Sequence, residues 1–347
     1  VLNRPILSLE KFNTDLIRAS LKSLIIIFFI LSLSACKRIN GLNDSPKTHS
    51  TESFSFALIG DMPYDLAVDE ASKPFDRLVR SINADTSIRW VLHAGDIKKS
   101  SSPCSEKMFK DRLKRYNQFD KPFILTLGDN EWTDCHRIKA GQYQPLERLS
   151  KLREIFYSEP NKSLGAKTMA LRSQANDPTF KDFPENVLWQ EKNVVFATMH
   201  LVGSQNGTLD FDSGSKAKRT LADDDEIQKR TEAAIAWMDE AFRIAKNSPA
   251  IFLMIHANPG MDLILVNQRG FEAFLAALQT QVKDFRKPVV LAHGDTHKFR
   301  IDSPVIKNKT LENFRRVETF GVTNKNWVKV TVDPKSKEVF FFEKKNQ

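Results

Sequence analysis

The sequence predicts an α/β fold in which helices cover packed β-sheets. Short apolar runs rich in β-branched and aromatic residues alternate with longer segments whose apolar residues recur every three or four positions. The first pattern is typical of buried strands and the second of helices that pack on a sheet. The last third of the chain changes to short alternating segments, which indicates a second sheet packed on the first within one domain.

The predicted elements follow one another in a regular order. Buried strands are predicted at 54–59, 90–93, 123–127, 194–199, 251–255 and 289–292. Helices are predicted at 76–82, 105–116, 146–157, 230–245 and 271–285. Further strands are predicted at 315–320, 327–332 and 339–342. The segment 180–215 is the least periodic and contains Asp, Pro, Gly and Asn, so we expect loops over a functional site there.

Composition and charge exclude several classes of protein. The chain has 347 residues, 41% hydrophobic and 27% charged, which is the composition of a folded protein. Its 52 Lys and Arg exceed its 43 Asp and Glu, but the excess is spread evenly and does not by itself indicate a nucleic-acid binder. The chain lacks GxxxxGK(S/T), GxGxxG and HExxH motifs, so kinase, dinucleotide-dependent and zincin activities lose their main support.

The N-terminal segment predicts a signal peptide over 1–35. Its apolar run, 24–33, would span about 15 Å as a helix, half of a bilayer core, and basic residues precede it. Leu-Ser-Ala before Cys36 resembles a bacterial lipobox, so we expect lipidation of Cys36 and an envelope protein anchored in the outer membrane, on its periplasmic or surface side. An ordinary secretory signal with an incidental Cys36 is the alternative. The polar stretch 37–52 predicts a flexible tether, and 53–347 a single domain.

A disulfide is expected between Cys104 and Cys135. Export would place both in a compartment where disulfides persist, and each follows a predicted strand at short distance. A bridge that closes a loop of about 30 residues adds roughly 3 to 4 kcal/mol of stability. Two unpaired buried thiols are the alternative.

Carboxylates and histidines recur where the predicted strands end. Gly-Asp pairs follow three strands, a histidine follows a fourth, and His-Gly-Asp-Thr-His follows a fifth. The residues concerned are Asp61, Asp96, Asp129, His256, His293, Asp295 and His297. Because the carboxyl ends of parallel strands share one edge of a sheet, we expect these side chains to converge. So many carboxylates together require cations, and the pattern therefore predicts a metal site.

The order and spacing of these motifs resemble the calcineurin-like metallophosphoesterase superfamily over about 54–297. The resemblance implies a four-layer α-β-β-α sandwich of two packed mixed sheets and a centre of two divalent metal ions. It also implies that Asp96 bridges the two ions. The ligands so implied are Asp61, Asp96 and His297 for the first ion, and Asp96, Asp129, His256 and Asp295 for the second.

The chain departs from the family pattern in three places. The first motif lacks the histidine that the family places two residues after Asp61. Asp129 and Asn130 stand where the family has an asparagine ligand and the catalytic histidine, and Asp295 replaces a histidine ligand. Carboxylates in these positions form a harder ligand set, which favours Mn, Mg or Fe over Zn.

Residues around the predicted centre are assigned roles on the same basis. Asn130 stands at the catalytic position but cannot supply a proton, so His293 is the first candidate for the missing acid. Lys98 and Arg137, with Asn130, are candidates to bind the substrate phosphate, although exposed surface charge is the alternative for both cations. Glu131 is expected to orient its loop rather than to bind metal.

These observations together predict an exported hydrolase of phosphoric esters, either monoesters or diesters. Two divalent ions would activate a water, and the substrate would be a phosphorylated small molecule or lipid. No nucleic-acid partner is expected. Two alternatives stay open: a non-catalytic metal-binding envelope protein on the same scaffold, and a secreted nuclease.

Overall fold

The structure is a computed structural model that describes residues 52–64, 73–261, 268–306, 309–321 and 326–346. The predicted signal peptide, Cys36 and nearly all of the predicted tether lie outside the described residues. All described elements belong to one compact unit, His49–Gln347.

Fourteen strands form two large sheets and one hairpin among the described residues. The strands are β1 (Phe54–Ile59), β2 (Ile88–His93), β3 (Phe123–Leu125), β4 (Arg172–Ser173), β5 (Val187–Glu191), β6 (Val194–Thr198), β7 (Ile251–Met254), β8 (Val289–His293), β9 (Arg300–Asp302), β10 (Val305–Ile306), β11 (Lys309–Thr310), β12 (Phe314–Glu318), β13 (Trp327–Val332) and β14 (Phe340–Lys345). The first sheet has the order β14-β13-β1-β2-β3, the second β4-β5-β6-β7-β8-β12-β9, and β10 pairs with β11. Both large sheets are mixed, because β1–β3 and β6–β8 pair in parallel while β13 and β14 of the first sheet and β4, β5 and β9 of the second pair antiparallel.

Helices cover the outer face of each sheet. They are α1 (Lys73–Ala84), α2 (Glu106–Tyr116), α3 (Pro145–Phe156), α4 (Leu221–Ile244) and α5 (Glu272–Phe285). Leu78, Phe109 and Leu152 from α1–α3 share a core cluster with the outward side chains of the first sheet. Trp237 and Phe274 from α4 and α5 do the same on the second sheet.

Aromatic side chains fill the space between the two sheets. Phe56 of β1 lies 5.7 Å from Phe196 of β6 and 5.1 Å from Phe252 of β7, measured between ring centroids, with both contacts edge-to-face. Residues of β1 alternate between this inner core and the helix-covered face, so the strand is buried on both faces and apolar except for Ser55. The predicted four-layer α-β-β-α sandwich of two mixed sheets is therefore confirmed.

Some strands were not predicted, and some helices begin earlier than predicted. Strand β5 was not predicted, because the turn that joins it to β6 is Lys192-Asn193 rather than a glycine-containing pair. Both turn residues have positive φ, 50° and 63°, as a tight hairpin of the type I′ class requires. Helix α4 begins at Leu221, well before the predicted start at 230, because Thr220 and Asp223 form a capping box.

The strand ends place the candidate site at one edge of the sandwich. Strands β1, β2 and β3 of the first sheet and β7 and β8 of the second each end in a loop that carries one or more of the predicted ligands. Within the described part of the chain, we find no helix both long and apolar enough to cross a bilayer.

Candidate metal centre

The predicted ligands converge at the edge where the two sheets' strands end. Ligand atoms of Asp61, Asp96 and His256 lie within 4.8 Å of one another, and so do those of Asp129, His256 and Asp295. His256 thus belongs to both groups. The assignment of each side chain to a first or a second ion stays a prediction.

His297 lies beside the first group rather than within it. Its Nε2 atom is 3.3 Å from Asp61 Oδ1 and 3.2 Å from the Tyr64 hydroxyl. The Asp61 carboxylate raises the pKa of His297 above its usual value. A cation at Asp61 would have the imidazole of His297 within reach.

Several of these residues have strained backbone conformations, which the surrounding hydrogen bonds maintain. Asp61, Asp96, Asp295 and His297 have φ values of 56°, 58°, 78° and 59°, in the left-handed region that residues other than glycine rarely adopt. The Asp61 amide donates to Gly95 O at 2.8 Å, and the Asp295 amide donates to Asp61 Oδ1 at 2.9 Å. Such strain concentrates at functional sites, where the surrounding structure offsets its cost.

The ring of His256 is oriented for coordination. Its Nδ1–H donates to Ala94 O at 2.6 Å, which leaves the Nε2 lone pair facing Asp129 Oδ1 at 3.2 Å and Asp96 Oδ1 at 3.3 Å. Metal-bound histidines commonly donate their other nitrogen to a backbone carbonyl in this way. Burial opposes protonation, but the carboxylates of Asp96 and Asp129 raise the pKa of His256 well above its usual value.

The buried carboxylates carry more negative charge than the protein itself compensates. Burial, followed by the charges of Asp129, Glu131 and Asp61, raises the pKa of Asp96 well above its usual value. Burial and the charge of Asp129 raise the pKa of Asp295 to about 6. When no ion is bound, a protonated His256 and the hydrogen bond from Ser204 outweigh burial at Asp129 and lower its pKa to about 2. Oxygen and imidazole donors around this excess charge fit divalent cations.

Tyr64 is a site residue that the sequence analysis missed. Its hydroxyl donates to Asp96 Oδ2 at 2.8 Å and accepts from Asn130 Nδ2 at 3.1 Å. Burial and the Asp96 carboxylate raise the pKa of Tyr64 well above its usual value, so the phenol is neutral. Nothing in the sequence separates Tyr64 from other aromatic residues, because its role depends on contacts with residues distant in the chain.

Asn130 lies over the first group and faces Asp96. Its backbone amide donates to Asp96 Oδ1 at 3.1 Å, and its side-chain Nδ2 donates to Asp96 Oδ2. Cys104 and Cys135 form the expected disulfide, with Cα atoms 5.8 Å apart. The two sulfurs lie 3.7 and 3.9 Å from Asn130 O, so the disulfide packs directly against the backbone of Asn130.

Glu131 ties two ligand loops together. The Glu131 carboxylate is fully buried and accepts from the amides of Gly128 at 2.6 Å and Ile97 at 3.3 Å. These amides belong to the loops that carry Asp129 and Asp96. This geometry agrees with an orienting role for Glu131.

A tight left-handed turn positions Ser204 against Asp129. Ser204, Gln205 and Asn206 have φ values of 52°, 53° and 58°, a conformation that costs about 1 to 2 kcal/mol per residue. Arg230 donates to Asn206 O at 3.0 Å and holds the turn from beneath. Ser204 Oγ then donates to Asp129 Oδ2 at 2.6 Å. This turn lies in the segment 180–215, where loops over the site are predicted.

A cavity of about 750 Å³ opens above these residues. Its lining includes Tyr64, Asp96, Lys99, Ser100, Asp129, Asn130, Asp134, Arg137, Ser204, Asp295 and His297. Arg137, predicted to bind phosphate, is half-exposed at the rim and forms an ion pair of 2.8 Å with Asp134. The cavity therefore combines the candidate ligands with hydrogen-bond donors at its rim.

Two residues predicted to act directly on the substrate do not line this cavity. Lys98 is fully buried and donates to Lys99 O at 3.2 Å, and burial lowers its pKa to about 8. The exposed Lys99 lines the cavity in its place. His293 is also fully buried, with Nδ1 at 2.9 Å from Gly294 O, and burial lowers its pKa to about 3. Neither Lys98 nor His293 reaches a bound substrate from these positions.

A comparison of the sequence with families finds one match. A sequence model of the family described as calcineurin-like phosphoesterase matches residues 54–299, a range that includes every candidate metal ligand. No curated protein matches the chain.

Several solved structures are similar at low identity. One is GAP50, described as the anchor in the inner membrane complex of Plasmodium, at 10% identity and TM-score 0.47, with 85% of this chain and 89% of that chain covered. A 5'-nucleotidase from Candida albicans SC5314 is similar at 11% identity and TM-score 0.42, with 86% and 52% covered, so this chain spans about half its length. A conserved uncharacterized protein, a predicted phosphoesterase from Streptococcus pneumoniae TIGR4, has 7% identity and TM-score 0.32, with 85% and 90% covered. At these TM-scores the similarities carry no argument about substrate or activity.

Proposed function

This chain belongs to the calcineurin-like phosphoesterase family, and on that premise we propose that it is an exported, metal-dependent hydrolase of phosphoric esters. The observation that carries the proposal is the pair of ligand groups that share His256 beneath an open cavity. Two divalent ions held there would neutralise phosphoryl oxygens and supply a nucleophilic water near neutral pH.

The protein's own side chains have separate roles in this reaction. The Arg137 guanidinium lines the cavity and would donate hydrogen bonds to the non-bridging oxygens of the phosphoryl group. Asn130 Nδ2 would do the same by giving up its hydrogen bond to the Tyr64 hydroxyl. His256 donates its Nδ1 proton to Ala94 O, so its Nε2 faces the centre and would bind an ion there in place of a proton. Tyr64 and Asn130 fix the orientation of the Asp96 carboxylate through two hydrogen bonds.

Acid assistance to the leaving group is weak in this site. Asn130 occupies the position of the family's catalytic histidine, and a carboxamide has no proton to transfer at ordinary pH. His293 is buried away from the cavity. We therefore expect aryl esters, whose leaving groups need no protonation, to be hydrolysed faster than alkyl esters by a factor on the order of 10² or more.

The metal preference and the location are parts of the same proposal. Four carboxylates and two imidazoles form a hard donor set, so we expect Mn, Mg or Fe rather than Zn. The lipobox-like sequence before Cys36 supports a lipid anchor in a bacterial envelope, and the disulfide is of a kind that persists after export.

The test uses the full chain purified without chelator. Metal content and hydrolysis of an aryl phosphate and a bis-aryl phosphate are measured before and after EDTA treatment, and after each ion is restored. Asp96→Asn is expected to lose bound ion and more than about 10²-fold in rate, whereas Asp225→Asn, on the exposed face of α4, is expected to behave as wild type. Ion binding without hydrolysis of any ester would favour the non-catalytic alternative. Activity on DNA with steep salt dependence would favour the nuclease.

A further inference from the structure

A second, smaller cavity lies beside the metal centre. Its volume is about 140 Å³, and it shares Asp134, Arg137 and Ser204 with the larger cavity. Ser204 Oγ lies 2.6 Å from Asp129 Oδ2 and 3.2 Å from Asp134 Oδ1. Ser204 therefore contacts a candidate metal ligand on one side and lines the small cavity on the other, so the two cavities adjoin.

One wall of the small cavity is aromatic. The rings of His136 and Phe211 are stacked, with centroids 4.5 Å apart and planes 8° apart, and both line the cavity. The Arg219 guanidinium lies 5.9 Å from the Phe211 centroid and donates to the carbonyls of Gly207 and Leu209, which holds the loop that carries Phe211. A flat, apolar wall of this kind favours a planar ring over a flexible chain.

The wall also offers a hydrogen-bond donor, the Nε2–H group of His136. His136 Nδ1 accepts from the Asp212 amide at 3.1 Å, so the single proton of the neutral imidazole sits on Nε2. Burial lowers the pKa of His136, which keeps the ring neutral. Among the described residues we find no hydrogen bond to His136 Nε2, and this donor accompanies the carboxylate acceptor of Asp134 in the cavity lining. A ring with polar substituents would find both kinds of partner.

The size of the cavity limits its occupant. A cavity of about 150 Å³ in another protein binds benzene, so 140 Å³ accepts one ring. Leu146 and Ile227 belong to its lining, as do the acidic residues Asp210, Asp223 and Glu226.

We propose that this cavity is the leaving-group subsite of the enzyme, and that it accepts a single six-membered ring joined to the phosphoryl oxygen directly or through one carbon. This proposal rests on the proposed function and adds the substrate class: phosphate esters of phenols and of arylmethyl alcohols. The phosphoryl group lies at the metal centre, the ester oxygen lies near Ser204 and Arg137, and the ring packs against His136 and Phe211.

Ring binding has to be separated from leaving-group acidity in the test. Benzyl phosphate and propyl phosphate are suitable probes, because both are esters of alkyl alcohols and differ chiefly in the ring. Wild-type protein is expected to prefer benzyl phosphate at least tenfold in kcat/KM, mainly through KM. In Phe211→Ala this preference is expected to fall about tenfold, since one aromatic contact contributes about 1 kcal/mol beyond its buried area.

Two further variants keep the test decisive. Phe180→Ala truncates a half-buried loop phenylalanine elsewhere and is expected to keep the wild-type preference. Leu209→Trp places a large side chain at an exposed position on the cavity rim, so it fills the subsite without disturbing the core, and it serves if Phe211→Ala does not fold. Equal rates on the two esters in wild type, or an unchanged preference in Leu209→Trp, would overturn the proposal.

A binding measurement distinguishes failure of the subsite from failure of the proposed function. Titration of 4-fluorobenzyl alcohol is followed by ¹⁹F NMR, which needs no hydrolysis. If wild type hydrolyses neither ester, the proposed function fails, yet binding of the alcohol that is lost in Leu209→Trp still supports the ring subsite. Absence of alcohol binding to wild type overturns the subsite whatever the hydrolytic result.

Discussion

The backbone of Gly203 lies close to the candidate ligand Asp129. Adding a single methyl group at position 203 therefore tests the geometry of the centre. A Cβ atom at position 203 would lie 2.7 Å from Asp129 Oδ1 and 2.8 Å from both Cγ and Oδ2. Ordinary contact starts at 3.4 Å, so Gly203→Ala has to separate the backbone and the carboxylate by about 0.7 Å.

The carboxylate is expected to move rather than the backbone. Asn206 anchors the turn through bonds of 3.0 Å to Thr231 Oγ1 and Gly270 O, and Arg230 donates to Asn206 O at 3.0 Å. The Asp129 carboxylate is instead held by contacts with the side chains of Ser204 and His256, and its torsions can change without a shift of the backbone. A displaced or misoriented ligand costs about 10- to 100-fold in metal affinity, equivalent to about 1.4 to 2.7 kcal/mol.

Calorimetric titration of chelator-treated protein with Mn²⁺ measures this effect. Wild type is expected to bind two ions per chain, and Gly203→Ala to bind one of them 10- to 100-fold more weakly. Gly214→Ala is the matched control, because a Cβ there meets only Ile138 Cδ1, at 3.2 Å, in an exposed loop. Two ions bound to Gly203→Ala with wild-type affinities would refute the placement of Asp129 as a ligand.

Two further predictions concern stability. Replacing both Cys104 and Cys135 by Ser is expected to lower the free energy of unfolding in urea by about 3 to 4 kcal/mol, because the disulfide closes a loop across 31 positions; a loss below about 1 kcal/mol would contradict this. His93 is fully buried, and burial lowers its pKa to about 4. Between pH 6.5 and 4 the unfolded chain therefore binds a proton at His93 that the folded chain excludes, so stability should fall as pH falls, by at most about 1.4 kcal/mol per pH unit. His93→Gln should make the pH dependence of urea midpoints shallower in this window, and an unchanged slope would show that other groups cause it.

The local pattern of apolar and polar residues was enough to predict most of the architecture. Strand β1 is apolar on both faces because one face meets the aromatic core and the other meets helices, and this double burial appears in the sequence as a continuous apolar run. Strand β5 escaped prediction because the Lys192-Asn193 turn has no glycine to mark it. Likewise, the capping pair Thr220 and Asp223 was not recognised as the true start of α4.

The sequence by itself determined which residues end the strands of this sandwich, and therefore which carboxylates and histidines meet at its edge. The periodicity of apolar residues and the Gly-Asp pairs at strand ends are local features of the sequence. Because parallel strands end at the same edge of a sheet, these features are enough to predict a site there. Only the tertiary structure decided which way neighbouring side chains point: Lys98 is buried while Lys99 faces the cavity. It alone brought Tyr64 to Asp96, Ser204 to Asp129, and Phe211 to His136. These contacts join residues 32 to 75 positions apart, and burial and hydrogen bonding in three dimensions select them rather than any feature of the adjacent sequence.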